Sequence, residues 1–538
     1  MNDTHTRQAA ETSSWLPSLT EMVFAAVLAW LFLAGAGAVA LLADGDTGWH
    51  IRTGENILQH HAFPRQDPFS FSKAGAPWFA WEWLADVLWA VAHHYAGLVG
   101  VVLVAGILIA ASSALLFRFM IWEGSNILIA VLCMLVASSA STIHWLARPH
   151  LFTYFLFTVS IFWLERDRRA PTPWLFGLAA VSALWTNLHG GFIALTALAG
   201  IYLAGNIAET LWTPRAERDW SRAKRYGALV AAVAGATLVN PYGYLLHQHI
   251  LQYLRTDFIL THVGEFQPPT FRGEGQRHFE ILLFAGLAMI PALLKRKDVT
   301  RVLLLLFWAH AAITSARHVL LYVVVAAPLV ARELSVLWEA AARQGHVWVK
   351  TLQEVADDYG AGHYGARRGL PIGWLAPAMV VVVTVVLLNG QSHERMRAEF
   401  PKARFPVAAL AKFGPDLAGR KVFTSDQWGD YLIYRYYPQV KVFMDGRSDF
   451  YGAQLGEEYL QAMNSRYQWE EIFDRHRFDV ALVPVDWPLA TTLKTHPAWK
   501  LKYDDGSALL LERLPRTAGE SAAVSDPLPG AAVRNNPS

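Results

Sequence analysis

Several features common in soluble proteins are scarce in this chain. It has one cysteine, Cys133, inside an apolar run, so it can form no intrachain disulfide and no cysteine-based metal site. Charged residues make up only 17% of its 538 residues, against about 25% in soluble domains. There is no internal repeat. A net charge of +2 gives no reason to expect a nucleic-acid partner. The first 20 residues are polar, and the apolar run after them lacks a cleavage-like end, so it reads as a retained anchor rather than a signal peptide.

What the chain does have is apolar length. It is 54% hydrophobic with 22 tryptophans, and its apolar runs recur at lengths near those a bilayer requires, about 20 residues. The reading is a polytopic α-helical membrane protein. The runs fall at 21–43, 98–120, 127–141, 151–164, 174–186, 192–211, 227–239, 279–294, 302–314, 319–330 and 374–388, giving about eleven spans. Basic loops follow the even runs, at 165–169, 215–225, 295–297 and 367–368. The positive-inside rule then puts the N-terminus inside and the C-terminus outside.

The expected organisation is a cytoplasmic tail at 1–20, a membrane domain at 21–389 with an outer loop at 44–97, and an extracytoplasmic α/β domain at 390–514. A Pro-, Ala-, Gly- and Ser-rich tail at 515–538 reads as disordered. In the outer loop, 54–61 reads as helical and 64–68 as a turn. The aromatic segment 78–94, with Glu82 and Asp86 one turn apart, is expected to lie in the membrane interface. In the C-terminal domain, 421–424, 440–444 and 479–484 read as strands, 428–436 and 488–495 as helices, and 501–512 as a hairpin turning at Asp504-Asp505-Gly506.

Unusual polar residues gather where odd-numbered runs end. The first ends at Asp44-Gly45-Asp46, with His50 and Arg52 close behind; the third at His144, Arg148 and His150; the fifth at Asn187 and His189. The seventh ends at Asn240-Pro241-Tyr242-Gly243 and the ninth at Arg317 and His318. All these ends share the outer face, and the inner ends carry only generic Lys, Arg and Glu. The pattern points to a single site beneath the outer loops, because ionisable groups at membrane depth default to function.

Arg148 and Arg317 stand on the side where the positive-inside rule disfavours arginine. An anionic partner is expected, and a lipid-borne phosphate suits the guanidinium fork. An ion pair with a loop carboxylate such as Glu265 is the plainer alternative. Asp44 and Asp46 could hold a divalent cation such as Mg or Mn, or one of them could act as a general base. His50, His150, Asn187, His189, Glu265 and His318 complete the expected lining.

The run Asp46-Thr47-Gly48-Trp49-His50-Ile51-Arg52 resembles the first outer loop of oligosaccharyltransferase catalytic subunits. More broadly, Asp44-x-Asp46 just after a first span resembles the GT-C glycosyltransferases. The segment Ser425-Asp426-Gln427-Trp428-Gly429-Asp430-Tyr431 is similar to the tryptophan-rich segment of those subunits' outer domain, with its residues in a different order. The resemblance implies a sugar donor linked to polyprenyl phosphate and a catalytic Asp46, with Asp44 as a metal or acceptor contact. Arg148, Arg317 and Arg52 would bind the donor phosphate, and Trp428, Asp430 and Tyr431 would contact the acceptor. Asp445 and Arg447 are either further acceptor contacts or part of a strand-end turn. The family's second acidic motif, between the third and fourth spans, has no counterpart: that loop holds His144, Arg148 and His150 and no carboxylate, so peptide-asparagine glycosylation is not implied.

The expected function is an inner-membrane glycosyltransferase, hexosyl or related, acting outside the cytoplasm on a glycan, lipid or protein acceptor. The alternatives are a transporter or flippase of an anionic lipid or solute, which should use both membrane faces, and a non-catalytic envelope polysaccharide assembly protein.

Overall fold

The structure is a computed structural model that describes residues 17–34, 37–364, 375–390 and 397–515. Most of the expected tails, at 1–16 and 516–538, lie outside the described residues. The described chain is mostly helical, with a small sheet near its C-terminal end.

Ser18 opens the first helix with a capping box: its hydroxyl accepts from the Glu21 N–H, and the Glu21 carboxylate accepts from the Ser18 N–H. The expected single span at 21–43 is divided. Helix Leu19–Ala29 passes into a π turn, Trp30–Ala34, and a short helix, Ala38–Leu41, follows. Gly37, at φ 77°, supplies a left-handed backbone that glycine adopts at no steric cost.

Among the described residues, five helices are long and apolar enough to cross a membrane: Trp83–Trp122, Ile127–His144, Gly190–Trp212, Glu274–Lys295 and Ala316–Arg343. Four apolar helices are shorter: Leu19–Leu33, Pro173–Thr186, Val299–Thr314 and Pro377–Leu388. Helices His150–Arg169 and Ser221–Ala236 occupy two further expected spans.

The segment 78–94 differs from expectation. It becomes helical at Trp83 and runs on as the Trp83–Trp122 helix, with a break at Ala96 and Gly97. Its Ala85, Asp86, Trp89 and Ala90 are buried rather than spread over an interface. They pack against the outer-loop helix Asp46–His60, where Gly54 lies against the Asp86 carbonyl.

The inner ends also differ. Arg301 pairs with Glu123 at 2.8 Å and Glu165 at 2.6 Å, and Arg168 with Asp298 at 2.6 Å and Glu209 at 3.2 Å. These are not generic charges but a network that joins helix ends. Buried charges persist only when paired in this way.

The C-terminal region forms a four-stranded sheet in the order β1 (Val422–Phe423), β2 (Val480–Pro484), β4 (Ala508–Arg513), β3 (Trp499–Asp504). β1 and β2 are parallel; the other pairings are antiparallel. The β3–β4 turn forms where expected, with the Asp505 carboxylate accepting from the Ser507 and Ala508 N–H groups at 2.9 and 2.8 Å. The strand expected at 440–444 is reduced to bridges from Val442 to Ser70 and Val422. Those bridges bring the outer loop into the C-terminal region: Phe71 donates to the Val442 carbonyl and Val442 to the Phe69 carbonyl. One apolar core runs through both regions.

Helix Asp426–Tyr436 is capped by the Ser425 hydroxyl, which accepts from the Trp428 N–H at 3.1 Å. It packs on helix Asp46–His60 at Gly48, where a Cβ would lie 2.8 Å from the Asp430 carbonyl. The start of the outer-loop helix is thus fixed between the bundle and the C-terminal region.

Candidate functional site

A cavity of about 340 Å³ opens where the outer loops meet the helix ends. Its two halves differ chemically. The first is ionic and centred on Arg148. The loop bearing Arg148 is pinned by the Ala147 N–H to the Leu41 carbonyl at 2.7 Å and by the Thr47 hydroxyl to the Ala147 carbonyl at 2.9 Å. Arg148 Nη1 reaches Asp44 Oδ2 at 3.0 Å and Glu265; Nη2 reaches Asp46 Oδ2 at 2.7 Å. The other oxygen of Glu265 pairs with Arg317 at 3.2 Å, so one carboxylate bridges two arginines. Arg317 also lies over the Phe266 ring at 4.5 Å.

Asp46 is almost fully buried. Burial pushes its carboxyl up to about 7, against the opposing pull of Arg148. Arg148, with Arg317 beside it, holds Glu265 well below the usual carboxylate range despite partial burial. Asp46 also accepts from Trp49 Nε1 at 3.3 Å.

The second half is built from His50, Glu82, Asp86 and His189. His50 Nδ1 lies 2.6 Å from Asp86 Oδ1, and its Nε2 lies 3.7 Å from Glu82 Oε2. His189 Nδ1 accepts from the Gly191 N–H at 3.0 Å, which leaves its proton on Nε2, 3.5 Å from Glu82 Oε1. Burial pushes Glu82 up to about 8, opposed by the Gly190 N–H. Burial lowers both His50 and His189, so they sit as neutral imidazoles.

Of the residues singled out from the sequence, Asp44, Asp46, Arg148, Glu265 and Arg317 form one ionic group. His50, His150, His189 and His318 line the same cavity. His150 Nε2 lies 2.5 Å from the His144 carbonyl, and His318 Nδ1 lies 3.2 Å from the Ala311 carbonyl.

Others lie elsewhere. Arg52 is held by the Tyr434 carbonyl at 2.8 Å and Glu55 at 2.6 Å, on the flank that joins helix Asp46–His60 to the C-terminal region, and is not part of the lining. Asn187 accepts from Trp83 Nε1 at 2.7 Å and donates to the Val239 carbonyl at 2.8 Å, tying helix ends together. Trp428 donates to the Arg404 carbonyl at 2.6 Å, and Tyr431 packs with Phe400 and Phe405. Asp430 is fully buried and accepts from the Gly446 N–H at 2.9 Å. None of the three lines the cavity, and Asp430 alone approaches it, through Gly446. Gly446 is needed there because a Cβ would meet the Asp46 carboxylate. Arg447 does reach the cavity, at the end of a turn that locks it to Asp445 and Asp67, each pair at 2.8 Å or less.

Sequence reasoning passed over Glu82 and Asp86 as members of the site. Their signal was two acids one turn apart in an apolar, aromatic segment, a spacing that puts both on one helix face. Among the described residues no group of three or more His, Cys, Asp and Glu has the arrangement of a metal site. Asp44 and Asp46 both face Arg148, which already supplies their counter-charge.

The fold and cavity define a mostly helical membrane protein with a cavity where loops meet helix ends, packed against a small C-terminal α/β region. That architecture is shared with known structures. The oligosaccharyltransferase of Archaeoglobus fulgidus in its apo form matches with a TM-score of 0.53 at 11% identity, over 92% of this chain and 74% of that one. AglB of the same organism, in complex with an inhibitory peptide and a dolichol-phosphate, matches with a TM-score of 0.54 at 11% identity, over 95% and 74%. The chain is distantly similar in fold to this archaeal GT-C enzyme, as the outer-loop resemblance implied. The sequence matches no family model and no curated protein.

Proposed function

We propose that the protein is a GT-C glycosyltransferase that moves a sugar from a polyprenyl-phosphate donor to an acceptor on the outer face of the bacterial-type inner membrane. The observation that carries this reading is the Glu265 carboxylate bridging Arg148 and Arg317 at the edge of an aromatic-lined cavity. Two guanidinium groups that share one carboxylate are also spaced to share the oxygens of one phosphate. The dolichol-phosphate bound by the archaeal AglB is a lipid phosphate of the same chemical class.

In this reading the lipid enters sideways between helices, and its phosphate displaces Glu265 from the arginines. As the glycosidic bond breaks, negative charge grows on the departing phosphate, and Arg148 and Arg317 stabilise it in a water-poor site. Asp46 orients Arg148 and the acceptor hydroxyl, or takes the hydroxyl's proton. Asp44 and Asp46 could also hold Mg or Mn once Arg148 turns to the phosphate, and chelation of purified protein tests that. The acceptor is a glycan, a lipid or a protein. In this reading the chain crosses the membrane about eleven times from an N-terminus inside, and the cavity faces away from the cytoplasm.

The test is sugar transfer from a defined polyprenyl-phosphate hexose by purified protein, wild type against Arg148→Ala and Arg317→Ala. Transfer that both substitutions abolish supports the proposal. Transfer unaffected by either rules out the phosphate clamp.

A further inference from the structure

Within the glycosyltransferase reading, we infer that Glu82, flanked by His50 and His189 in the cavity that Arg148 also lines, is the catalytic base, and that the acceptor it serves is a carbohydrate hydroxyl. Asp46 then keeps an orienting role.

The inference begins with which carboxylates are already engaged. Asp46 is committed to Arg148 at 2.7 Å and to Trp49 at 3.3 Å. Asp44 and Glu265 are also paired with Arg148. Glu82 is buried and lines the cavity, yet its contacts are all long: the Gly190 N–H at 3.4 Å, His189 Nε2 at 3.5 Å and His50 Nε2 at 3.7 Å. Both imidazole separations exceed a normal hydrogen bond. The carboxylate is thus not tightly bonded to either imidazole, and an oxygen in the cavity beside the pair, not between them, can donate to the carboxylate and accept from His189 Nε2–H. A hydroxyl does both; a carboxamide nitrogen only donates.

The supports of Glu82 are fixed. His50 is held by Asp86, whose second oxygen is buried without a partner. His189 is held by the Gly191 N–H and by Thr153, which in turn accepts from Trp185 Nε1 at 2.8 Å. A base oriented by a second layer is the usual requirement for proton transfer. Trp49, Trp78 and Trp81 line the cavity with these residues, Trp49 against the His50 ring and Trp78 under Arg447, so a sugar ring that enters meets indole surface beside Glu82. Trp81 lies across Gly190, directly beside Glu82 in the chain.

The step balances as follows. The acceptor oxygen attacks the anomeric carbon and its proton passes to the Glu82 carboxylate. The anomeric carbon–oxygen bond to phosphate breaks, and the electron pair stays on the phosphate oxygen beside Arg148. Burial raises the basicity of Glu82, with its carboxyl near 8. Against burial, the Gly190 N–H, Arg148 and Arg317 lower this value and Asp449 raises it; the titratable groups that face the carboxylate are His50 and His189, with Asp86 behind His50.

The experiment uses full-length protein in detergent with synthetic farnesyl-phosphate glucose, mannose and galactose as probes. It measures release of free hexose to water, and lipid occupancy by native mass spectrometry. Wild type should release hexose from at least one probe, with a rate that rises with pH up to about 8. Glu82→Gln should bind the same lipid equally well, release hexose about 100-fold more slowly, and lose the rising limb. Glu82→Asp should recover part of the rate and the limb. Equal lipid occupancy guards against misfolding, since a merely structural role would move occupancy and rate together. A Glu82→Gln rate within threefold of wild type with an unchanged profile, or probe binding without release by wild type, overturns this inference alone. Failure of wild type to bind any probe overturns the glycosyltransferase reading and this inference with it.

Discussion

The helix His150–Arg169 is flanked by an arginine cluster at each end, and the two are built differently. At its N-terminal end Arg148 is held by Asp44, Asp46 and Glu265, which come from the segment after the first apolar run and from a short turn, Gly264–Phe266. At its C-terminal end Arg301 and Arg168 are held by Glu123, Glu165, Glu209 and Asp298, all at the ends of packed helices. Arg148 and Arg301 have the same side-chain exposure, 16%, so burial does not separate them. Their partners do. A guanidinium with one partner on a short turn, as Arg148 has in Glu265, can exchange that carboxylate for another anion while its other partners stay in place. One held by helix ends can do so only if the helices part.

The comparison fixes the expected order of effects. Arg148→Ala should show the largest effect, lowering transfer by about 10³-fold while leaving the protein folded, as loss of a charge-stabilising donor does. Arg301→Ala should do the reverse. It leaves buried acids uncompensated and should cost about 3–5 kcal/mol of stability, with transfer per folded molecule unchanged. Equal effects of both substitutions on stability and transfer would erase the distinction between the ends.

Asp46→Asn comes next, with transfer reduced about 100-fold and lipid still bound. A pH effect sharpens the contrast. Asp46, at about 7, and Glu82, at about 8, both stand above the unfolded carboxyl range near 4. In that interval the folded state holds protons that the unfolded state has released. The buried histidines, whose basicity burial lowers, oppose this below about 6.5, so stability should fall as pH rises from about 6.5 to about 8 and level off beyond. Melting temperatures of Glu82→Gln should show a shallower fall than wild type. A steeper or unchanged slope would contradict the assignment.

The smallest effect belongs to Arg52, which lies between the two regions and outside the cavity. Arg52→Ala removes its bonds to Tyr434 and Glu55 and should cost about 1–2 kcal/mol without altering lipid binding.

The same comparison shows what was legible in the sequence. Apolar runs marked helices, because length and hydropathy are local properties. The ends of odd runs marked the ionic half, because arginine on the outer face is conspicuous in one dimension. Glu82 and Asp86 were not assigned to it, since whether an amphipathic segment faces lipid headgroups or a buried histidine is decided by packing from another helix. The inner network was read as generic charge because pairing between helix ends far apart in the chain leaves no local pattern. The resemblance of segment 425–431 implies acceptor contacts at Trp428 and Tyr431, yet both aromatic residues pack into the C-terminal region's core, as aromatic residue types do equally well. The strand at 440–444 is reduced to bridges because its neighbours are the outer loop on one side and a two-residue strand on the other.

The most direct measurement is native mass spectrometry of the purified full-length protein in mild detergent, comparing wild type, Arg148→Ala, Asp46→Asn and Arg301→Ala. The account predicts a bound polyprenyl phosphate or its glycosylated form in wild type and in folded Arg301→Ala. It predicts loss of that lipid in Arg148→Ala and enrichment of the glycosylated form in Asp46→Asn. Absence of such a lipid from wild type, or lipid bound equally by all four proteins, would contradict the claim that the outer arginines form a phosphate site.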